Sequence, residues 1–312
     1  MLARKLLWLL VAAATSVGAG ESRLDEALRN LKIPPDWLAE AKSDYSTATP
    51  WKDARLHIRK LLSEGRNREA VKLTYIYHVV QKNGSPDGHE YPMYLFLGGE
   101  PAWAVKVYAN RLRDKPQGHA FDYSALASLY AQYGEHQRAL DTLNDAMQRL
   151  PDPPWRINAE ANIHDKLGDA YAAKGDVEKA TEHYREAIRL FPTSNQPYGR
   201  HLLHRNAAKV QAKLDLLGIK TLDITQLKDG VYRGTSLGYA KDINATVTLR
   251  GGKITDIQLR HEEKIEQGAC KSVPRQIIER QSLQVDAVTG ATVTVQAIVE
   301  ATYRALQKAG MK

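Results

Sequence analysis

The chain has 312 residues, 43% hydrophobic and 26% charged, the profile of an ordinary globular protein long enough to bury two cores. Its formal charge of +8 invites a nucleic-acid partner, but the basic residues are interleaved with acids, as at Glu178-Lys179 and around Glu182, Arg185 and Glu186. No like-charged run exceeds two residues, which describes a solvated surface, so no nucleic acid is expected.

Residues 1–19 have the three-part layout of a secretory signal peptide: Arg4-Lys5, an apolar run from Leu6 to Ala14, then Val17 and Ala19 before a cleavage point. The run falls short of the roughly 20 apolar residues that a membrane span needs. No cysteine near the cleavage point offers a lipid anchor. A periplasmic or otherwise extracytoplasmic location in a bacterium is therefore expected. Cys270 is the only cysteine, which excludes an internal disulfide, a cysteine-rich metal site and an iron–sulfur cluster.

Residues 20–49 form a short helical segment, with helices over Leu24–Leu31 and Pro35–Lys42. From Pro50 a repeat emerges as Gly followed five residues later by Ala: Gly65/Ala70, Gly99/Ala104, Gly134/Ala139 and Gly175/Ala180. The alanines are 34, 35 and 41 residues apart. A period near 34, with Leu167-Gly168, Tyr171, Gly175, Ala180, Tyr184, Ala187 and Pro192 in the last unit, resembles the tetratricopeptide repeat over residues 50–192. The widest spacing predicts a longer loop or a lengthened first helix in the fourth unit. Residues 193–220 then read as a capping helix and linker, with Leu203, Ala207, Val210, Leu214 and Leu217 on one face and Gly218 as its stop. Such arrays offer a groove to a protein partner, or act as a rigid spacer.

At residue 221 the period changes to that of strands. Asp229-Gly230-Val231-Tyr232-Arg233-Gly234 feeds a first strand, and Ile243, Ala245, Val247 and Leu249 alternate with polar residues in a second. Gly251-Gly252 is a hairpin signal, and Lys253–Arg260 is the returning strand. A helix over Val273–Gln281 has Pro274 in its first turn. A final helix carries Val295, Ile298, Val299, Ala305 and Leu306 inward.

Between these helices lies Asp286-Ala287-Val288-Thr289-Gly290-Ala291-Thr292-Val293-Thr294. Taken alone, a threonine before an apolar-periodic helix reads as a plain helix cap. Together with Asp-Gly-x-Tyr-x-Gly and the Gly238-Tyr239 pair, the stretch resembles the FMN-binding domain family, found in flavin subunits of the Rnf and sodium-translocating NADH:quinone reductase complexes. The resemblance covers residues 221–312, and the fold it implies is a small α+β domain after the α-helical solenoid. It implies FMN as cofactor and a flavin transferase that joins FMN to Thr292 through a phosphoester. Asp286, Thr289, Gly290 and Ala291 complete that motif, and Thr294 is the hydroxyl two places on. Ala287 stands where glycine is usual, and some relatives bind FMN without the covalent bond. The implied function is an electron-transfer carrier rather than a stand-alone enzyme, its repeats docking a redox protein and associating it peripherally with a membrane complex. A repeat scaffold without flavin and a flavin-dependent reductase of a small substrate are the alternatives. His261-Glu262-Glu263 lacks the second histidine of a zinc motif and is instead a candidate for the flavin edge. No catalytic residue and no metal ligand is assigned.

Overall fold

The computed structural model describes residues 22–42, 45–115, 120–217, 224–285 and 291–311. The signal-peptide stretch, Gly218, Asp286, Thr289 and Gly290 lie outside the described residues. Two short helices come first, α1 (Arg23–Arg29) and α2 (Trp37–Glu40). The Ser22 side chain caps α1 by accepting from the Asp25 amide. Helix α2 is shorter than the sequence suggests: Asp36 stands at its N-cap without a side-chain cap bond, and the chain turns extended at Ala41.

Four antiparallel helix pairs follow. They are α3 (Trp51–Ser63) with α4 (Asn67–Tyr75), α5 (Glu90–Leu97) with α6 (Pro101–Asp114), α7 (Ala120–Gln132) with α8 (His136–Gln148), and α9 (Arg156–Ala173) with α10 (Val177–Leu190). Each pair turns on one of the spaced glycines, whose φ values run from +73° at Gly65 to +88° at Gly99, where a side chain would strain the backbone. The spaced alanines are 0–1% exposed because each marks a close helix approach. Gly168 works the same way, since a Cβ there would strike the Tyr184 ring. The extra residues of the fourth unit lengthen its first helix: α9 has 18 residues where α7 has 13.

The capping helix α11 (Leu203–Leu217) begins and ends on its apolar pattern, after a turn in which Gly199 has φ +70°. It has two working faces. Leu203, Ala207 and Val210, with Leu214 and Leu217, pack on the last repeat. Ala212 and Leu216 are part of the core of the following domain. One helix is thus shared between two cores.

That following domain is an antiparallel sheet, β1 (Gly230–Leu237), β2 (Asp242–Arg250) and β3 (Lys253–Arg260), in the order β1-β2-β3, with α12 (Ala269–Arg280) and α13 (Thr292–Lys308) packed on it. Ile243, Ala245, Val247 and Leu249 are 0–1% exposed and form the buried face of β2. An irregularity opposite Thr248/Leu249 breaks strict alternation in β3, so that Ile254 and Ile257 are the residues buried there, with Leu259 only partly covered. Helix α12 begins four residues before Val273, which puts Pro274 inside the helix rather than in its first turn. The Asp-Gly-x-Tyr-x-Gly motif has a structural explanation. Asp229 accepts from the Gly251 amide and Tyr232 donates to the Lys228 carbonyl, so both ends of the sheet's turn are tied. A Cβ at Gly234 would collide with the Ala301 carbonyl and the Ala305 nitrogen, so only glycine lets β1 lie against the backbone of α13.

Candidate functional site

The first residue of α13 is Thr292 and its N-cap is Ala291. Thr292 therefore sits in the first turn and not at the cap. Alanine has no side-chain oxygen to satisfy the free amides of that turn, in contrast to α10, where Asp176 accepts from the Lys179 amide. The positive end of a 17-residue helix is thus joined to donors that its own cap residue leaves open, a suitable place for a phosphate.

The same turn is held in position by a carboxylate. The Thr294 hydroxyl, 1% exposed, donates to Glu263 Oε2 at 2.7 Å, and Glu263 Oε1 accepts from the Ala240 amide at 2.7 Å. Glu263 thereby ties the start of α13 to the turn between β1 and β2. A Cβ at Gly238 would intrude on Glu263 Oε1 and on the Lys241 carbonyl, so the Gly-Tyr pair has a packing reason for its glycine. Of the residues singled out in the sequence, the structure thus gathers Ala291, Thr294 and Glu263 and places Thr292 between them along the helix. Replacing Thr294 by Val keeps the shape but removes a hydrogen bond from a buried carboxylate. It is expected to cost about 1–3 kcal/mol, read as a lower unfolding temperature, whereas Thr294→Ser should stay near wild type.

The start of α13 opens onto a cleft of about 1110 Å³. Its lining includes Ala291, Val293 and Thr294 from α13 and Tyr239 from the β1–β2 turn. The opposite wall comes from the first helices of the repeats and from α11: Phe96 of α5, Phe121 of α7, Asn158 and Asn162 of α9, and Lys209 of α11, with Trp155 capping α9. The two domains also meet beside the cleft. Ile265 packs on the core of the first repeats, and the Gln267 side chain donates to the Leu97 carbonyl at 2.9 Å. On the other flank Arg304 donates to the Ala208 carbonyl, and Arg205 pairs with Asp242. The repeats accordingly do not hold the second domain at a distance; they turn their inner face toward it.

Between α11 and α13 lies a buried pair of titrating groups. Glu300 is 2% exposed, accepts from Ser236 Oγ at 2.5 Å through Oε2, and has no partner for Oε1 among the described residues. Burial pushes its carboxyl up and the nearby Lys209 opposes the shift. Burial likewise pushes the Lys209 ammonium down, with Glu300 opposing. Cys270 is half-buried; burial first, then Glu266 and Glu263, push its thiol up to about 12, so it is an unreactive protonated thiol at neutral pH. Sequence reasoning missed Glu300, Lys209 and the aromatic wall, because their neighbours lie in the other domain and no local spacing announces them.

Residues 238–307 match the family model of the FMN-binding domain. This chain carries an FMN-binding domain. Residues 161–194 match the tetratricopeptide repeat, so the two modules are fused in one polypeptide. Among curated proteins, the NADH:acrylate oxidoreductase of Vibrio harveyi is 33% identical over 97 residues, 30% of this chain and 10% of that protein. The photosystem I assembly protein Ycf3 of Synechococcus elongatus is 32% identical over 105 residues, 31% of this chain and 61% of that protein. The chain thus spans a tenth of the first relative and under two thirds of the second. Among solved structures, the MamA RS-1 ArsTM double mutant covers 54% of this chain and 93% of its own, at 19% identity and a TM-score of 0.34.

FMN is the cofactor that this domain family supports. The residues present fit it: an anion-compatible helix start, a cleft next to it, and exposed aromatic side chains with a cation on the facing wall. Bound there, FMN supplies one- and two-electron redox chemistry, and the chain supplies position and electrostatics.

Proposed function

We propose that the protein is an extracytoplasmic electron carrier whose FMN is attached covalently through Thr292. The observation that carries this reading is the start of α13, uncapped by Ala291 and opening on the cleft, within the residues that match the FMN-binding domain. In the maturation step the Thr292 hydroxyl attacks the FMN phosphorus of FAD on a flavin transferase. The threonine–phosphate ester forms, the phosphoanhydride breaks, AMP leaves, and the hydroxyl proton passes to solvent. An alcohol is required because the product is a phosphate ester, and Gly290 and Ala291 keep the approach small. Export through the signal-peptide stretch would place the carrier where free FMN is scarce and where a covalent bond prevents its loss. Because the inner face of the repeats is turned to the flavin domain, a redox protein or membrane complex would dock on the outer helices and the rim of the cleft. Among the described residues, no helix is long and apolar enough to cross a membrane.

Intact mass tests the reading. Full-length protein co-expressed with a flavin transferase and recovered from the extracytoplasmic fraction should be yellow and heavier by one FMN. Colourless protein of unmodified mass would favour a scaffold without flavin. The likeness to the Vibrio oxidoreductase supports one second reading, a flavin-dependent reductase. Rapid oxidation of the reduced protein by small unsaturated acceptors, and not by protein acceptors, would favour that reading.

A further inference from the structure

Resting on the assignment of FMN to the start of α13, we propose that the repeats build the second half of the flavin chamber. In this arrangement Trp155 and Phe121 cover the isoalloxazine ring, and Lys209 supplies the positive charge facing it.

Four aromatic or branched side chains line the cleft yet remain only partly covered by protein: Phe121, beside His89, is 53% exposed, Trp155, beside Tyr198, 42%, Tyr239 62% and Val293 40%. Large apolar side chains left open around one concavity mark a site for an apolar occupant. Its capacity of about 1110 Å³ lies just above the roughly 300–1,000 Å³ usual for cofactor pockets, which leaves room for a flavin. Continuity fixes which occupant this is, since Ala291, Val293 and Thr294 form part of the lining. A flavin joined one residue from Ala291 begins at the cleft, and the facing aromatic walls suit a planar ring. Lys209 lines the same space, makes no hydrogen bond among the described residues, and loses ordinary hydration through burial. A cation in a poorly hydrated cleft, offset in part by Glu300 and Asp165, favours a ring that gains negative charge on reduction. The other charged groups on this wall are already engaged: Asp165 with Lys213 at 2.7 Å, Lys166 with Asp169, and Arg149 with Asp145 at 2.8 Å. The repeats thus do for the flavin what a lone FMN-binding domain would leave to solvent.

The test uses the full chain, co-expressed with a flavin transferase, its load counted by intact mass. In the loaded protein, flavin fluorescence should be strongly quenched relative to free FMN and poorly accessible to iodide. Trp155→Ala and Phe121→Ala should each raise the fluorescence several-fold at unchanged flavin load, and Lys209→Met should lower the midpoint potential. Free-FMN fluorescence in the loaded wild type, or three variants with wild-type spectra and potential, would overturn the chamber while leaving attachment at Thr292 intact. If the mass carries no flavin, covalent attachment fails instead, and titration with FMN decides the chamber. Saturable quenching of tryptophan fluorescence, weakened at least several-fold by Phe121→Ala, supports it; no binding overturns it.

Discussion

Thr292→Ala is expected to take covalent flavin from near one per chain to none while leaving the fold in place. The substituted residue is the first of α13, where alanine is a good helix former and no capping role is lost, because the cap position belongs to Ala291. On helix propensity the exchange is slightly favourable, and the far-UV spectrum of the variant checks that the fold is kept. The chemistry, in contrast, is all or none: without a hydroxyl there is no ester. Thr292→Ser keeps the alcohol and should keep part of the load. The neighbouring hydroxyl is a poor substitute, since Thr294 is buried and its proton is donated to Glu263. Intact-mass measurement of wild type, alanine and serine forms from the same co-expression reads the outcome directly. A full flavin mass on the alanine form would move the acceptor elsewhere and remove the central residue of the proposal.

The parts of the molecule legible in the sequence are those written in local spacing. The repeat glycines and alanines mark their helix pairs because a left-handed turn and a close helix approach each admit few residue types, and β2 alternates because one of its faces is buried. Boundaries were read less well. Pro274 suggests a first turn but lies inside α12, whereas the apolar stripe of α11 from Leu203 to Leu217 coincides with the helix that carries it. The site divides in the same way. The stretch around Thr292 is contiguous and could be named, and Glu263 was noticed for its neighbours. The wall facing it could not be read, because Phe121, Trp155 and Lys209 are brought opposite α13 by the curvature of a repeat array and not by any sequence proximity. Glu300 likewise sits on the inward stripe of an amphipathic helix, where a carboxylate looks like a break in pattern until Lys209 and Ser236 are seen beside it.

Helix α11, shared by the two modules, is fastened to α9 by a buried cation, and its removal should have the largest effect on stability. Lys213 of α11, its side chain 11% exposed, holds Asp165 at 2.7 Å and Asp169 at 2.9 Å, both on α9, and Asp169 also accepts from the Tyr184 hydroxyl at 2.8 Å. Burial alone would raise the Asp169 carboxyl, but the charges of Lys213 and Lys166 and the hydrogen bonds from Lys213 and Tyr184 bring it down to about 2. Burial opposes the Lys213 charge too, and the two aspartates overcome it, holding its ammonium well above the ordinary value. Lys213→Met fits the volume but takes the cation from Asp165 and leaves Asp169 with Lys166 alone, which should cost about 3 kcal/mol at pH 7. The unfolding temperature should fall by roughly 6–12 °C. Because α11 also contributes Ala212 and Leu216 to the flavin domain's core, both modules should loosen together. The pH dependence gives the stricter check. A carboxyl depressed in the folded state stabilises it fully above its ordinary value of 3.8, and that stabilisation is lost as the pH falls through about 2. A cation raised in the folded state stabilises fully below 10.5. The gap between wild type and variant should therefore be flat from about pH 5 to 9 and close progressively below pH 4. Asp169→Asn added to Lys213→Met should recover part of the loss at pH 7. A gap under about 1 kcal/mol at pH 7, or one that widens in acid, would mean that α11 is held by its apolar face alone.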